Sequence, residues 1–356
     1  MSVGQIMTTP DVSVIFKTLA TTAIQRSELG ILGLIVKDDT QTEYISTISN
    51  IADIDESKWD DEVIKLFKIA MYTLSPRKII VFNQGTKDIN TVLKDVQTKR
   101  INYLAAPQAE EEEDQNIVIW IKQVFGTDKI DKTIRYVSGF SDNSDHPAII
   151  ELANESFTSI FGVFTTQEYT AAIAGMLCGM PLNRSADNVV MADLTNVSYF
   201  EPAKGKFNLY VDDDVVRVNL AVNSKTAFDS TWKTDTRFIK IIDGMCIVVD
   251  DIKNTFKEYW IGRYMNDYDN KMNFCSNINK IYFKNLQPNV LSPDYDNRVQ
   301  IDLEKQRQEV ILDGRHNPDE MSELEILKFP TGNNVYLTGD VMFANTMVNL
   351  NLVVTM

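Results

Sequence analysis

Between residues 79 and 139 the chain switches repeatedly between a strand-like and a helix-like hydrophobic period, and that alternation constrains its fold more than any other feature. KIIVF, apolar through residues 79–82, reads as a strand. TKDINTVLKDVQTK sets Ile89, Val92, Leu93 and Val96 on one side of an amphipathic helix, and INYLAAP is a strand again. AEEEEDQNIVIWIKQVFG is a second helix whose acidic first turn suits the positive end of its dipole, and KTIRYVSG is the strand after it. Parallel neighbours joined through helices require β-α-β crossovers, so the pattern predicts a largely parallel sheet covered on both faces. Upstream, ILGLIV at Ile31–Val36 is apolar without alternation, as a doubly buried strand is. Residues of about 30–145 are therefore expected to form an α/β domain.

Farther along, TTQEYTAAIAGMLCGMPLNRS opens on a capping box, Thr165 with Glu168 three residues later, and ends at Pro181. Ala172, Gly175 and Gly179 inside it are small and three or four residues apart, so another backbone can approach there. FEPAKGKFNLYVDDDVVRVNLAVNS reads as a hairpin around the acidic turn 212–214. RFIKII reads as a further strand, and DYDNKMNFCSNINKIYFKNLQ as an amphipathic helix with Met272, Cys275, Ile278, Tyr282 and Leu286 on its apolar face. NPDE at 317–320 opens a short helix with Asn317 as cap, and the remainder is strand and turn.

Chemistry is hard to place on this chain. No GxGxxG, Walker loop, GxSxG or HExxH occurs. The two histidines, His146 in SDNSDHP and His316 in DGRHNP, lie in polar turns and read as surface-loop residues. The acidic runs 110–114 and 212–214 lack the spaced ligands of a cation loop and read as solvated charge. Cys178, Cys246 and Cys275 form no CxxC pair and sit among apolar residues, as buried reduced thiols do. No cofactor or metal is expected. A formal net charge of −15 disfavours nucleic acid and anionic membranes as partners, and no apolar run is long enough to cross a bilayer. The start, MSVGQIMTTP, has no signal-peptide pattern, so synthesis and retention in a cytoplasm are expected.

Both ends look like strands. DVSVIF alternates Val12, Val14 and Phe16, and NLNLVVTM follows Val348 with Leu350, Leu352 and Val354. A lone terminal strand does not offset its ordering entropy, so each end must join a sheet, either its own or a neighbour's.

Several stretches settle that choice by resemblance. VSVIFKTLATTAIQRSELGILGLIVKDDT, YTAAIAGMLCGMPLNRSA, VRVNLAVNSKTAF with IDGMCIVVDDIKNTFKEYWIGRYMNDYDNKMNFCSNINKIYF, and VQIDLEKQRQEVI with VYLTGDVMFANTMVNLNLVVTM resemble, in order, the contractile phage-tail sheath family. The likeness is to the short sheaths of phages, defective prophages and R-type bacteriocins of Gram-positive hosts. It implies a non-enzymatic structural protein that stacks as hexameric rings around an inner tail tube, meets baseplate and tail terminator proteins, and contracts to drive the tube through a cell envelope. It implies residence in a virion or phage tail-like particle assembled in the bacterial cytoplasm, without membrane insertion. It further implies an N-terminal arm strand at 1–20, an outer α/β domain at 21–200, an inner α+β core domain at 201–334 and C-terminal strands and arm at 335–356. Val12, Val14, Phe16, Val348, Leu350, Leu352 and Val354 would be intersubunit arm residues. Lys253, Lys257, Lys271, Lys280 and Lys284 are candidate tube contacts, with solvated helix faces as the other reading. A self-assembling scaffold that never contracts, and an enzyme with an unfamiliar site near His146 or His316, remain alternatives at this point.

Overall fold

The computed structural model describes residues 30–126, 130–287 and 289–348. Their contacts divide them into two compact units, residues 30–247 with 345–348, and residues 248–344.

The first unit is built on β1 (Ile31–Val36), in which every residue but the first is buried. Around it stand β2 (Ile45–Ile48), α1 (Asp61–Tyr72), β3 (Lys78–Asn83), α2 (Ile89–Thr98), β4 (Tyr103–Ala105), α3 (Glu111–Val124), β5 (Arg135–Ser138) and β6 (Ile149–Leu152). The chain continues through β7 (Ser156–Ser159), β8 (Gly162–Thr165), α4 (Thr166–Cys178), β9 (Leu194–Val197) and β10 (Lys206–Phe207). The large sheet runs β10-β6-β5-β4-β1-β3-β2, and only β2 is antiparallel to its neighbour. The inner order β3-β1-β4-β5-β6 is that of a doubly wound sheet, as the crossover pattern predicts. One face packs on α1 and α4, and the other on α2 and α3, where Ile89, Val92, Leu93 and Val96 are all buried. β8-β7-β9 form a small antiparallel sheet.

Helix α4 begins at the expected capping box, Thr165 with Glu168, and its contact with α1 uses the small residues. A Cβ on Gly175 would stand 1.9 Å from the Ala70 carbonyl oxygen, and one on Gly179 would stand 2.8 Å from that of Leu74. All three cysteines are buried, and none is in a disulfide.

Two expectations are corrected in this unit. Residues 201–247 belong with the α/β unit, because β10 extends the large sheet in parallel with β6. Their hairpin, β11 (Leu209–Asp212) and β12 (Val215–Val218), turns through Asp213 and Asp214, both at positive φ. RFIKII is not a strand. It passes from a 3-10 turn, Thr234–Arg237, into helix α5 (Ile239–Thr255), because Ile239, Ile242 and Cys246 are buried at helical spacing. The first turns of α5 are anchored by Asp243, which pairs with Arg135 Nη2 at 2.8 Å and accepts from the Tyr103 hydroxyl at 2.7 Å.

In the second unit α5 ends in a π-helical turn, Phe256–Trp260, and α6 (Tyr268–Asn277) continues through another, Ile278–Phe283, to a last turn at Lys284–Leu286. Phe274 packs on Phe256 and Trp260, and Tyr282 donates to Asp251 at 2.5 Å. Cys275, Ile278, Tyr282 and Leu286 are buried as expected, but Met272 is exposed and Lys271 lies inside instead. β13 (Arg298–Ile301) pairs antiparallel with β14 (Leu337–Asp340), and between them come α7 (Leu303–Asp313), the 3-10 turn Pro318–Glu320 capped by Asn317, and α8 (Glu323–Lys328).

Candidate assembly surfaces

In a doubly wound sheet ligands bind beyond the carboxyl ends of the strands, where the winding reverses, here past β1 and β4. That place is filled by the chain's own side chains. The Lys37 backbone N–H donates to Gln108 Oε1 at 2.8 Å, and Lys37 Nζ and Gln84 Nε2 both meet the Glu113 carboxylate at 2.6 Å. Burial opposes the charge on Glu113, but Lys37, the Glu110 N–H and Gln84 outweigh it and hold the carboxyl below its usual range. An anion approaching the start of α3 would therefore meet a carboxylate where phosphate sites present bare N–H groups.

Asp114 departs from the solvated charge expected of run 110–114. It is fully buried on the inner face of α3 and accepts from the hydroxyls of Tyr136 (2.6 Å), Ser138 (2.7 Å) and Ser141 (2.9 Å). Burial pushes its carboxyl above the usual range despite those hydroxyls. Turn 212–214 is exposed.

His146 is likewise no open-loop histidine. Nε2 lies 3.0 Å from the Phe125 carbonyl, and Nδ1 accepts from the Ala148 N–H at 3.3 Å, so the ring ties loop 139–147 to the end of α3. Burial is the main cause of a pKa lowered to about 4. His316 is exposed, stacked edge-on to Phe329. Among the described residues no group of three or more His, Cys, Asp or Glu side chains could hold a metal ion. No helix there is long and apolar enough to cross a membrane.

Of the lysines singled out, Lys253, Lys257, Lys280 and Lys284 are exposed. Lys271 is corrected: it is 4% exposed, with Nζ 3.2 Å from Thr331 Oγ1 and 3.4 Å from Gln306 Oε1, and burial lowers its pKa. Gln306 and Thr331, distant in sequence, supply the polar partners that hold its ammonium inside.

Val12, Val14, Phe16, Leu350, Leu352 and Val354 lie outside the described residues, and Val348 is exposed. The second unit holds a two-stranded sheet, β13–β14, which packs against α6 and its π-helical turn. Its β14 edge pairs with no strand among the described residues, and Thr338, Gly339 and Asp340 are exposed. The β13 edge is closed at Val299 by the side chain of Asn279, a residue that a lone asparagine in a helical pattern does not single out.

No model of a known protein family matches the sequence. The fold is that of sheath proteins. It matches the sheath tail protein of Listeria innocua with a TM-score of 0.70 and 12% identity, over 94% of this chain and 99% of that one. It also matches a chain in the six-fold symmetrised baseplate of the anti-feeding prophage, with a TM-score of 0.66 and 12% identity, over 93% of this chain and 94% of that one. For that baseplate in its contracted state the TM-score is 0.60 at 8% identity, over 100% and 96% of the two chains. In sequence the chain is similar to the tail sheath protein of Clostridium phage phiCD119, 25% identical over 97% of this chain and 99% of its relative. The resemblance to contractile tail sheaths therefore holds from end to end.

Proposed function

We propose that this protein is the sheath subunit of a contractile phage tail or phage tail-like particle. Copies stack as hexameric rings around an inner tube, joined to baseplate and terminator proteins, and rearrange to drive the tube through a cell envelope. The observation that carries this reading is the whole-length likeness to a phage tail sheath protein. In the assembly the α/β unit forms the outer domain and residues 248–344 the inner one. The terminal segments reach into neighbours as added strands, a joint that survives large movements because its bonds are made by backbone.

The mechanism is mechanical and the subunit performs no catalysis. The extended sheath is a kinetically trapped state, and a trigger at the baseplate releases it into a lattice with more buried surface. Subunits that pass strands to neighbours make head-to-tail contacts, which close into rings or run into helices.

The test is negative-stain electron microscopy of the full-length protein beside a version ending at Ala344, which keeps β14 and its ladder to β13. Tubes or rings from the first and soluble subunits from the second are expected. If both versions stay monomeric and folded under every assembly condition, the reading fails. Tubes that keep one lattice before and after triggering would make the protein a scaffold that does not contract.

A further inference from the structure

Two helical turns of the second unit are wider than α-helical, and the first of them, Phe256–Trp260, is costly to hold. Val248, Asp251 and Thr255 are buried three or four residues apart along α5, as the inner face of an α-helix is. The next buried residue is Trp260, five on. The π-turn makes that step, with the Ile261 N–H on the Phe256 carbonyl at 3.1 Å. A π-turn holds one residue more than the α-turn it replaces. At about 100° per residue, an uninterrupted α-helix would bring Tyr259 to the inner face and carry Trp260 round to the outside.

The present register leaves polar atoms without partners. Six buried side-chain nitrogen or oxygen atoms among the described residues make no hydrogen bond, and three of them, Thr255 Oγ1, Trp260 Nε1 and Asn266 Oδ1, lie at this turn and in the loop after it. The Trp260 ring is stacked on Tyr264 at 4.3 Å and edge-on to Phe274 at 4.9 Å between centroids, so its N–H is enclosed. On the outside, Ile261 is 60% exposed and Met265 79%. The bond from Tyr282 to Asp251 fixes α5 upstream, and Asn266 Nδ2 on the Gly332 and Asn334 carbonyls fixes the loop downstream. A change of register is therefore taken up between them, where Gly262 turns at φ 73° with nothing within 4 Å of a Cβ position.

We infer that Phe256–Trp260 is a register switch: π-turned in the free subunit, it becomes α-helical in the assembled sheath, with Tyr259 taking the place of Trp260 inside and the indole N–H passing to water. The inference rests on the sheath reading for its trigger and goes beyond it by naming the moving element. The loop that moves carries Ile261 and Met265. A second copy that covers those side chains better in the α register than in the π register shifts the equilibrium by that difference. Packed helices hold discrete registers, so the change is all-or-none.

Exchange of the Trp260 indole N–H, assigned by its loss in Trp260→Phe, reads the switch in the unassembled full-length protein. Deleting Glu258 removes the extra residue, so that α5 runs on as an α-helix with Trp260 still inside and no second register to reach. Tyr259→Asp leaves the π-turn as it is and penalises only the α register, which would bury the new carboxylate. Indole exchange in both variants should be about tenfold slower or more than in wild type, which opens through the α register. Acrylamide quenching, taken as the difference between wild type and Trp260→Phe, should find Trp260 shielded in free subunits and open in tubes seen by electron microscopy. Tyr259→Asp should form few tubes or none. Indole exchange equal in wild type and both variants overturns the switch, whatever the tubes show. Tubes in which Trp260 stays shielded overturn it too and leave the sheath reading intact, whereas slowed exchange in the variants without tubes from any of the proteins sustains the switch and refutes the sheath reading.

Discussion

At the residue scale the most informative side chain is His146. Its ring donates through Nε2 to the Phe125 carbonyl and accepts at Nδ1 from the Ala148 N–H, an arrangement that only the neutral imidazole completes. Burial, with Lys122 and Lys225 nearby, lowers its pKa from 6.5 to about 4. The unfolded chain therefore binds more protons between those values. The contribution of His146 is fully present above pH 6.5 and is lost as pH falls through 4, amounting to about 3 kcal/mol. Asp114, Asp193 and Asp243 act in the opposite sense: burial raises each, so each adds stability as pH falls towards the ordinary carboxylate range. The difference between wild type and His146→Gln isolates the histidine. Denaturant melts at pH 7 and pH 4.5 should show wild type losing about 2 kcal/mol more than the variant, and equal losses would mean that the ring is not held neutral. Gly175 makes a second prediction at this scale. Gly175→Ala must push α1 and α4 apart, because the new Cβ would stand 1.9 Å from the Ala70 oxygen. A loss of about 3 kcal/mol, seen as a Tm lower by about 6–12 °C, is expected.

At the element scale the hairpin β11–β12 closes through two aspartates at φ 47° and 62°. Positive φ at both central positions is the type I′ geometry that suits strand twist and favours Asn-Gly. Replacing Asp213 by Asn and Asp214 by Gly should stabilise the protein by about 0.5–1 kcal/mol, with a small rise in Tm. A fall in Tm would mean that the two carboxylates hold the turn in some other way. Helix α2 shows its four buried residues in the chain itself, because its period is regular and its other face fully polar. The start of α5 is ambiguous in the chain, because RFIKII carries β-branched residues in a short run, where strand and helix patterns coincide. Its partners, Arg135 and Tyr103 reaching Asp243, are more than 100 positions away in sequence.

At the scale of the whole molecule a chain of net charge −15 must place its few positive side chains where a partner needs them, or leave them solvated. We propose the exposed Lys253, Lys257, Lys280 and Lys284 as tube contacts, because in a sheath that contracts a bond that must break is better made by exposed charges than by an apolar patch. Lys253→Glu with Lys257→Glu should give sheaths that assemble yet no longer hold the tube, as judged by electron microscopy and by release of tube protein on pelleting. Normally sheathed tubes would return these lysines to the solvent. Local patterns in the chain were enough for the strand–helix alternation between residues 78 and 138, the parallel sheet, the close approach at Gly175, the capping boxes and the likeness to tail sheaths, because period, capping and small-residue spacing are local properties. Long-range packing alone put Asp114 and Lys271 inside, tied the half-buried His146 to the Phe125 carbonyl, joined residues 201–247 to the α/β unit, and let Asn279 close one edge of a sheet while β14 pairs with no further described strand. Each of these depends on which distant backbone or side chain a polar group meets, and no local pattern encodes that meeting.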